Sequence, residues 1–346
     1  MKACVLHSIG DLRYEEVDDP VPKDGEVLLR IKASGICGSD ISRIYQKGTY
    51  TFPTIPGHEF SGEIVDVCGD VESGLIGKRA AVYPLLPCKD CDMCEVGEYA
   101  SCRCYSYFGS RRDGGFAELI TVPIWNLVTC DGNLSYEEMA MAEPAAVSVH
   151  ALGQAGVSLG DTIAIFGAGA IGLMLAGFAK TWGAAKIILL DIDEQRLQFA
   201  RSIGYEFTLN NRAGEWIEQL MEITDGKGVD LALEGAGVAR ATEGCFAAAK
   251  PLGKVVLMGN PLTDMCIKQN AYWDILRKQL TVIGTWNSSY TKKRNDWQIA
   301  LDAMSSGVMD VSRLITHRFS FSQCKEAFAV LTERKDLAFR VIFVND

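Results

Sequence analysis

The uncharged run Thr162–Phe166 passes directly into Gly167-Ala-Gly169-Ala170-Ile171-Gly172 and then into an apolar-periodic stretch ending at Trp182. Strand, tight glycine turn and helix start form the context in which a G-x-G-x-x-G pattern carries meaning. The glycines let the backbone approach a pyrophosphate, and the helix N-terminus offers it unpaired N–H groups. Asp191 closes the next apolar run nineteen residues after Gly172, where a carboxylate accepts hydrogen bonds from ribose hydroxyls and repels a 2′-phosphate. Gly167, Gly169, Ala170, Ile171, Gly172 and Asp191 are therefore the candidate dinucleotide residues, with NAD preferred over NADP. Arg196 lies near enough to stack on adenine or, as the lesser alternative, to tolerate a phosphate. Thr162–Ala179 is uncharged and long enough to raise the question of a membrane helix, but its glycines at 167, 169 and 172 contradict one.

From residue 160 onward apolar runs alternate with amphipathic helical patterns. Strands are expected at Thr162–Phe166, Lys186–Asp191, near Phe207, Val229–Glu234, Lys254–Met258 and Thr281–Thr285. Helices are expected at Ile171–Trp182, Glu194–Ser202, Trp216–Thr224, Ala239–Ala249 and Trp273–Arg277. Repeated βα units of this kind build a doubly wound parallel sheet. The first 150 residues read differently: short strands such as Glu26–Ala33, Ser61–Val67 and Arg79–Val82 are separated by Gly, Pro and Asp turns, giving a β-rich domain. Ser135-Tyr-Glu-Glu138 has the form of a capping box that starts a helix, with Pro144 punctuating it. After 285 the alternation breaks into helices at Asp296–Ser305 and Ser322–Arg334 and a strand at Phe339–Val344. A lone strand has no sheet of its own, so this tail is expected to rejoin the first domain. The division is 1–150, 151–285 and 286–346, in an α/β chain.

Cys88, Cys91, Cys94 and Cys102 form a C-x2-C-x2-C-x7-C run. Four thiolates so spaced close a tetrahedron around Zn2+, and a closed Cys4 site is structural. Such a zinc folds a lobe at 84–104 that lacks a core, with a binding energy of about 10–16 kcal/mol in comparable peptides. An iron–sulfur cluster is the rival metal reading, and Cys104 a possible decoy. The cysteines at 4, 68, 130, 245, 266 and 324 read as buried small hydrophobes. Disulfides are not expected: charges at Asp11, Arg13 and Glu15 interrupt any apolar core a signal peptide would need, so a cytoplasmic location is expected.

Cys37, His58 and Glu143 could supply a second, open zinc site whose fourth position takes water or substrate. Taken singly, the Cys reads as a buried hydrophobe and the His as a surface or core residue. Asp40 is the natural carboxylate to orient His58, and Glu59 is expected near the metal rather than as a permanent ligand. Ser39 could pass on the proton of a bound alcohol, or simply cap a turn. With 34 Lys+Arg against 44 Asp+Glu the net charge is -10, which excludes the basic footprint of a nucleic-acid or anionic-membrane binder.

With these features in order, GICGSD (35–40), GHEFSG (57–62), the four cysteines, AEP (142–144) and GAGAIG (167–172) resemble the zinc-dependent medium-chain alcohol and polyol dehydrogenases over essentially the whole chain. The resemblance implies a GroES-like catalytic domain, a Rossmann domain binding NAD, and two zinc ions per chain, one catalytic and one structural. It puts Cys37, His58 and Glu143 at the catalytic zinc and Ser39 in the hydroxyl relay. Glu rather than Cys at 143 looks like the sorbitol dehydrogenase branch. One departure is that members of that branch often carry His three residues after the Ser, where this chain has Ser42 followed by Arg43.

PLLPC (84–88), SRIY (42–45) and GSRRDGGFAEL (109–119) look like the members that oxidise a polyol phosphate such as galactitol 1-phosphate. In an acidic chain, Arg43, Arg111 and Arg112 are the candidate forks for a phosphate; the bland reading pairs them with Asp113 or a subunit interface. The polar stretch Trp286–Tyr290 could line a pocket for substrate hydroxyls. Free sorbitol, L-iditol or xylitol, a butanediol, or threonine are the alternative substrates. A non-catalytic NAD-binding protein and a zinc-independent enone reductase are the rival classes. The resemblance and the apolar run Thr281–Thr285 imply a homodimer or homotetramer.

Overall fold

The computed structural model describes residues 1–69, 73–130, 132–333 and 335–345. The chain divides into two compact units, Met1–Ala146 with Ser289–Asp346, and Val147–Ser288.

In the second unit six parallel strands lie in the order Phe207–Asn210, Lys186–Asp191, Thr162–Phe166, Val229–Glu234, Ala249–Leu257 and Thr281–Gly284. This is the Rossmann order, in which the two halves wind outward from the first strand, Thr162–Phe166. Its central strands are apolar on both faces because helices cover both. Ile163, Ala164, Ile165 and Phe166 are all buried, as are Ile188, Leu189 and Leu190 of the neighbouring strand. The expected α/β class and parallel sheet are borne out. Two boundaries differ by more than one residue. The helix expected at Trp273 begins at Gln269, and the strand expected at Lys254 begins at Ala249.

In the first unit a seven-stranded sheet runs Ile315–Phe319, Arg340–Val344, Glu26–Gly35, Glu59–Val67, Arg79–Val82 and Leu127–Thr129, with Leu119–Pro123 also paired to Glu26–Gly35. The hairpin Lys2–Ser8/Asp11–Glu16 stands beside it as a separate two-stranded ribbon. The final strand lies antiparallel to Glu26–Gly35, in the register Ile342↔Gly35, Phe343↔Ser34 and Val344↔Ala33. Phe116 meets Phe343 edge-on at 5.0 Å inside a core that draws on the N-terminus, the 108–122 segment and the C-terminal helix. That helix runs Cys324–Glu333; its expected end at Arg334 lies outside the described residues.

Pro144 does not end the helix that Ser135 caps. The capping box is present, but its helix is short, Tyr136–Ala140. Pro144 stands in the first turn of a new helix, Ala142–Ala155, where the missing N–H costs no hydrogen bond. Glu143 thereby enters at a helix start. No helix among the described residues is long and apolar enough to cross a membrane.

Candidate active site

Cys37 ends a strand-to-helix turn that its own neighbours shape. Its sulfur accepts from the Ser39 amide at 3.5 Å, and the Asp40 carboxylate reaches back to the Cys37 amide at 3.0 Å. This is a capping box with Cys in place of Ser. It directs one turn of helix, Gly38–Ser42, so that the Cys37 thiol, the Ser39 hydroxyl and the Asp40 carboxylate fall close together. Arg43, just beyond, donates from Nη1 to Ser39 Oγ at 2.8 Å and to Asp40 Oδ1 at 3.3 Å.

His58 is brought in by Gly57, whose φ is +95° and where a β-carbon would stand 2.5 Å from the Phe116 ring. Only glycine takes that backbone and that space. His58 Nδ1 faces Asp40 Oδ1 at 3.3 Å, both residues being buried. Burial pushes the imidazolium down, but the Asp40 carboxylate and the Cys37 sulfur more than reverse this, and the His58 pKa ends well above its ordinary value. Asp40 is likewise raised by burial and pulled lower overall by His58, Arg43 and the Cys37 amide. With Nδ1 toward Asp40, Nε2 is the nitrogen left for a ligand role.

The metal-ligating atoms of Cys37, His58 and Glu59 lie within 4.8 Å of one another. Glu143 falls outside that set, so the trio the structure brings together contains Glu59. Yet Glu59 already holds a cation, because Arg340 donates to its Oε2 and both groups are buried. Glu143 is 9% exposed and makes no hydrogen bond or ion pair among the described residues. Burial and the neighbouring Glu59 raise its carboxyl to about 7. Glu143 lies within electrostatic reach of Glu59, His58 and Arg340, and a buried carboxyl with no hydrogen-bond partner among the described residues is a donor that a divalent cation fits.

In the lobe, Cys88 Sγ lies 3.9 Å from Cys94 Sγ, Cys91 Sγ lies 3.9 Å from Cys102 Sγ, and Cys102 and Cys88 are 3.5 Å apart. Four sulfurs at 2.3 Å from one zinc stand about 3.8 Å apart at tetrahedral geometry. The set therefore fits a single ion. A cluster spreads its cysteines over several irons and needs them farther apart. Cys104 is exposed and outside the set. Of the cysteines read as buried, Cys266 is exposed and Cys68 and Cys130 are only half-buried.

In the second unit the glycine turn closes against the helix Ala170–Thr181, and a β-carbon on Gly172 would stand 1.8 Å from Gly167 O. Gly169 caps that helix with no side chain, so its first N–H groups are left for an anion. Ile171 lies in the same first turn. Asp191 Oδ2 accepts from the Ala168 amide at 2.8 Å and Oδ1 from the Asp193 amide at 2.9 Å, while Arg196 Nη1 stands 3.6 Å from Oδ2. The carboxylate keeps lone pairs for ribose hydroxyls.

The three candidate phosphate arginines have different surroundings. Arg43 is engaged with Ser39 and Asp40. Arg112 lies over the Phe108 ring at 4.7 Å with Glu26 at 3.8 Å, and burial lowers its pKa. Arg111 sits over the rings of Tyr50 and Tyr105. None pairs with Asp113, which accepts from the Ile55 amide at 2.9 Å. Tyr290 stacks on Tyr83 at 4.5 Å and donates its hydroxyl to Leu127 O, so it serves packing rather than a pocket. Sequence reading missed Arg340, whose partner lies 281 residues away. Its one signal was a lone arginine in the apolar strand Arg340–Val344, which must find a counter-charge.

Residues 23–132 match the family model of the alcohol dehydrogenase GroES-like domain, and residues 170–306 that of the zinc-binding dehydrogenases. Over 329 residues the chain is 35% identical to galactitol 1-phosphate 5-dehydrogenase of Escherichia coli (strain K12), covering 94% of this chain and 95% of that protein. It is 32% identical over 348 residues to a sorbitol dehydrogenase of Bacillus subtilis (strain 168), covering 99% and 96%. The crystal structure of galactitol-1-phosphate dehydrogenase from Escherichia coli superposes with a TM-score of 0.93 at 33% identity, covering 100% of both chains.

Proposed function

Because the chain belongs to the zinc-dependent medium-chain alcohol and polyol dehydrogenases, we propose that it oxidises a secondary alcohol of a polyol phosphate with NAD, converting galactitol 1-phosphate to tagatose 6-phosphate. It is an oxidoreductase, and zinc and a nicotinamide dinucleotide are its cofactors. The observation that carries the reading is the convergence of Cys37, His58 and Glu59 within 4.8 Å, beside a Ser39 hydroxyl held by Arg43.

In this reading Cys37, His58 and Glu143 hold the catalytic zinc, and Cys88, Cys91, Cys94 and Cys102 the structural one. Glu59 is kept by Arg340 and stays beside the metal. When bound, zinc supplies a Lewis acid that acidifies the substrate alcohol, and NAD supplies the hydride acceptor. Ser39 takes the alcohol proton. Arg43 already donates to Ser39 Oγ, and an arginine has no acceptor. The hydroxyl therefore passes its own proton to water at its half-exposed edge rather than along the chain. Asp40 fixes the His58 ring and its tautomer. Gly167, Gly169, Ala170, Ile171 and Gly172 cradle the pyrophosphate, and Asp191 reads the ribose, with Arg196 against the adenine.

Similarity to the galactitol 1-phosphate enzyme supports a phosphorylated substrate, and Arg43, Arg111 and Arg112 supply cation density in a chain of net charge -10. Similarity to the sorbitol dehydrogenase favours the second reading, a free polyol. We extend the proposal to a homodimer or homotetramer, since Thr281–Gly284 is an edge strand with mostly exposed side chains. We also extend it to a cytoplasmic setting, in which twelve free cysteines stay reduced.

The test is initial-rate NAD reduction with galactitol 1-phosphate beside galactitol, sorbitol and xylitol, with and without a zinc chelator. A chelator-sensitive preference for the ester is expected. Turnover of a free polyol with no gain from phosphate rejects the ester and leaves a sorbitol-type enzyme.

A further inference from the structure

Arg111 belongs to a loop folded tightly on itself: its amide and that of Ser110 both donate to Tyr107 O, at 3.0 and 3.4 Å. The Tyr50 amide donates to Ser110 O at 3.2 Å and ties a second loop to the first. Between those loops the Arg111 guanidinium lies 4.0 Å from the Tyr50 ring centroid and 4.7 Å from that of Tyr105. Two aromatic rings thus hold the plane of the fork. Its edge is different, because the Arg111 side chain makes no hydrogen bond or ion pair to any described residue. The other two arginines have lost part of that freedom, Arg43 to Ser39 and Asp40 and Arg112 to Glu26.

Ring contacts lead from this point to the candidate metal ligands within the same unit. Tyr105 meets Tyr107 edge-on at 6.4 Å, and Tyr107 meets His58 at 5.7 Å. In the proposed substrate six bonds separate the oxidised carbon from phosphorus, about 7.5 Å when extended. Two rings, Tyr107 and Tyr105, link His58 to Arg111 in this direction.

We infer that Arg111, clamped between Tyr50 and Tyr105, is the residue that recognises the phosphate monoester and makes the enzyme discriminate phosphorylated from free polyols; the inference rests on the polyol-phosphate reading above. Stacking positions the guanidinium before substrate arrives, so little side-chain freedom is lost when its N–H groups engage the phosphate oxygens. Arg43 is then a positioning residue for Ser39, and Arg112 a support for the loop.

The experiment compares kcat/KM for galactitol 1-phosphate with kcat/KM for galactitol in the wild type, Arg111→Ala, Arg111→Lys, Tyr105→Leu and Arg112→Ala, each checked for zinc content and NAD binding. The ester-to-free ratio is expected to fall roughly 10- to 100-fold in Arg111→Ala, the range of a charge-assisted fork. Smaller falls are expected in Arg111→Lys and Tyr105→Leu, and least change in Arg112→Ala. A wild type without ester preference overturns the polyol-phosphate reading and this inference with it. A wild-type preference that survives both Arg111 variants, or equal losses on both substrates, overturns the inference alone.

Discussion

Replacing Arg340 by Met tests how the candidate site balances its charges. Arg340 and Glu59 have side chains 7% and 1% exposed, and Arg340 donates to Glu59 Oε2. Removing one partner of a buried pair leaves the other charge uncompensated, at about 3–5 kcal/mol. The unit that contains both has about 200 residues, for which each kcal/mol lowers Tm by roughly 2–4 °C. The variant is therefore expected to melt roughly 10 °C lower at pH 8 in calorimetry. Adding Glu59→Gln removes the stranded charge, and the double variant should recover most of the loss. A single variant within 2 °C of wild type, or a double variant that melts no higher than the single, refutes the reasoning.

Metal-free protein should lose stability as pH rises. Between the ordinary value of 4.5 and about 7 the folded state keeps a proton on Glu143 that the unfolded chain has released, and the raised His58 pKa acts in the same direction. Stabilisation by added zinc should grow over the same window, since zinc displaces those protons; a metal-free Tm that climbs from pH 5 to 8 contradicts this. Cys88→Ser should reduce zinc from two ions per chain to one by elemental analysis and expose residues 84–104 to protease. Unchanged zinc content would remove the structural-ion assignment. Cys37→Ser and Glu143→Ala should each abolish turnover while NAD binding, followed by fluorescence, persists; turnover retained in both rejects the zinc-centred reading. Asp191→Ala should lower the NAD-to-NADP ratio of kcat/KM by roughly tenfold or more, and no change would mean that this carboxylate does not read the ribose.

Much of the molecule was legible before any coordinates. Parallel strands buried on both faces appear as unbroken apolar runs, so Ile163–Phe166 and Ile188–Leu190, alternating with amphipathic helical patterns, pointed to a doubly wound parallel sheet. The four cysteines of the lobe were legible because their ligands lie within fifteen residues, close enough for local turns to gather them. Cys37 and Asp40 show the same locality, since their capping box is a four-residue event. The short strands of the first unit were harder to bound, because their ends depend on partners far along the chain.

What the sequence determined by itself was every feature built from neighbours: the glycine turn, the alternation of strand and helix, the thiolate lobe and the residue types of a zinc site. Tertiary structure alone decided which carboxylate keeps company with which cation. Glu59 meets Arg340 across 281 residues, Glu143, in the first turn of the helix Ala142–Ala155, pairs with none of the described residues, and Arg43 turns to Ser39 while Arg111 is held between two rings. The reason is physical. Local conformation follows from sterics and hydrogen bonds within a few residues, whereas the electrostatic state of a buried group follows from whatever the folded chain packs against it.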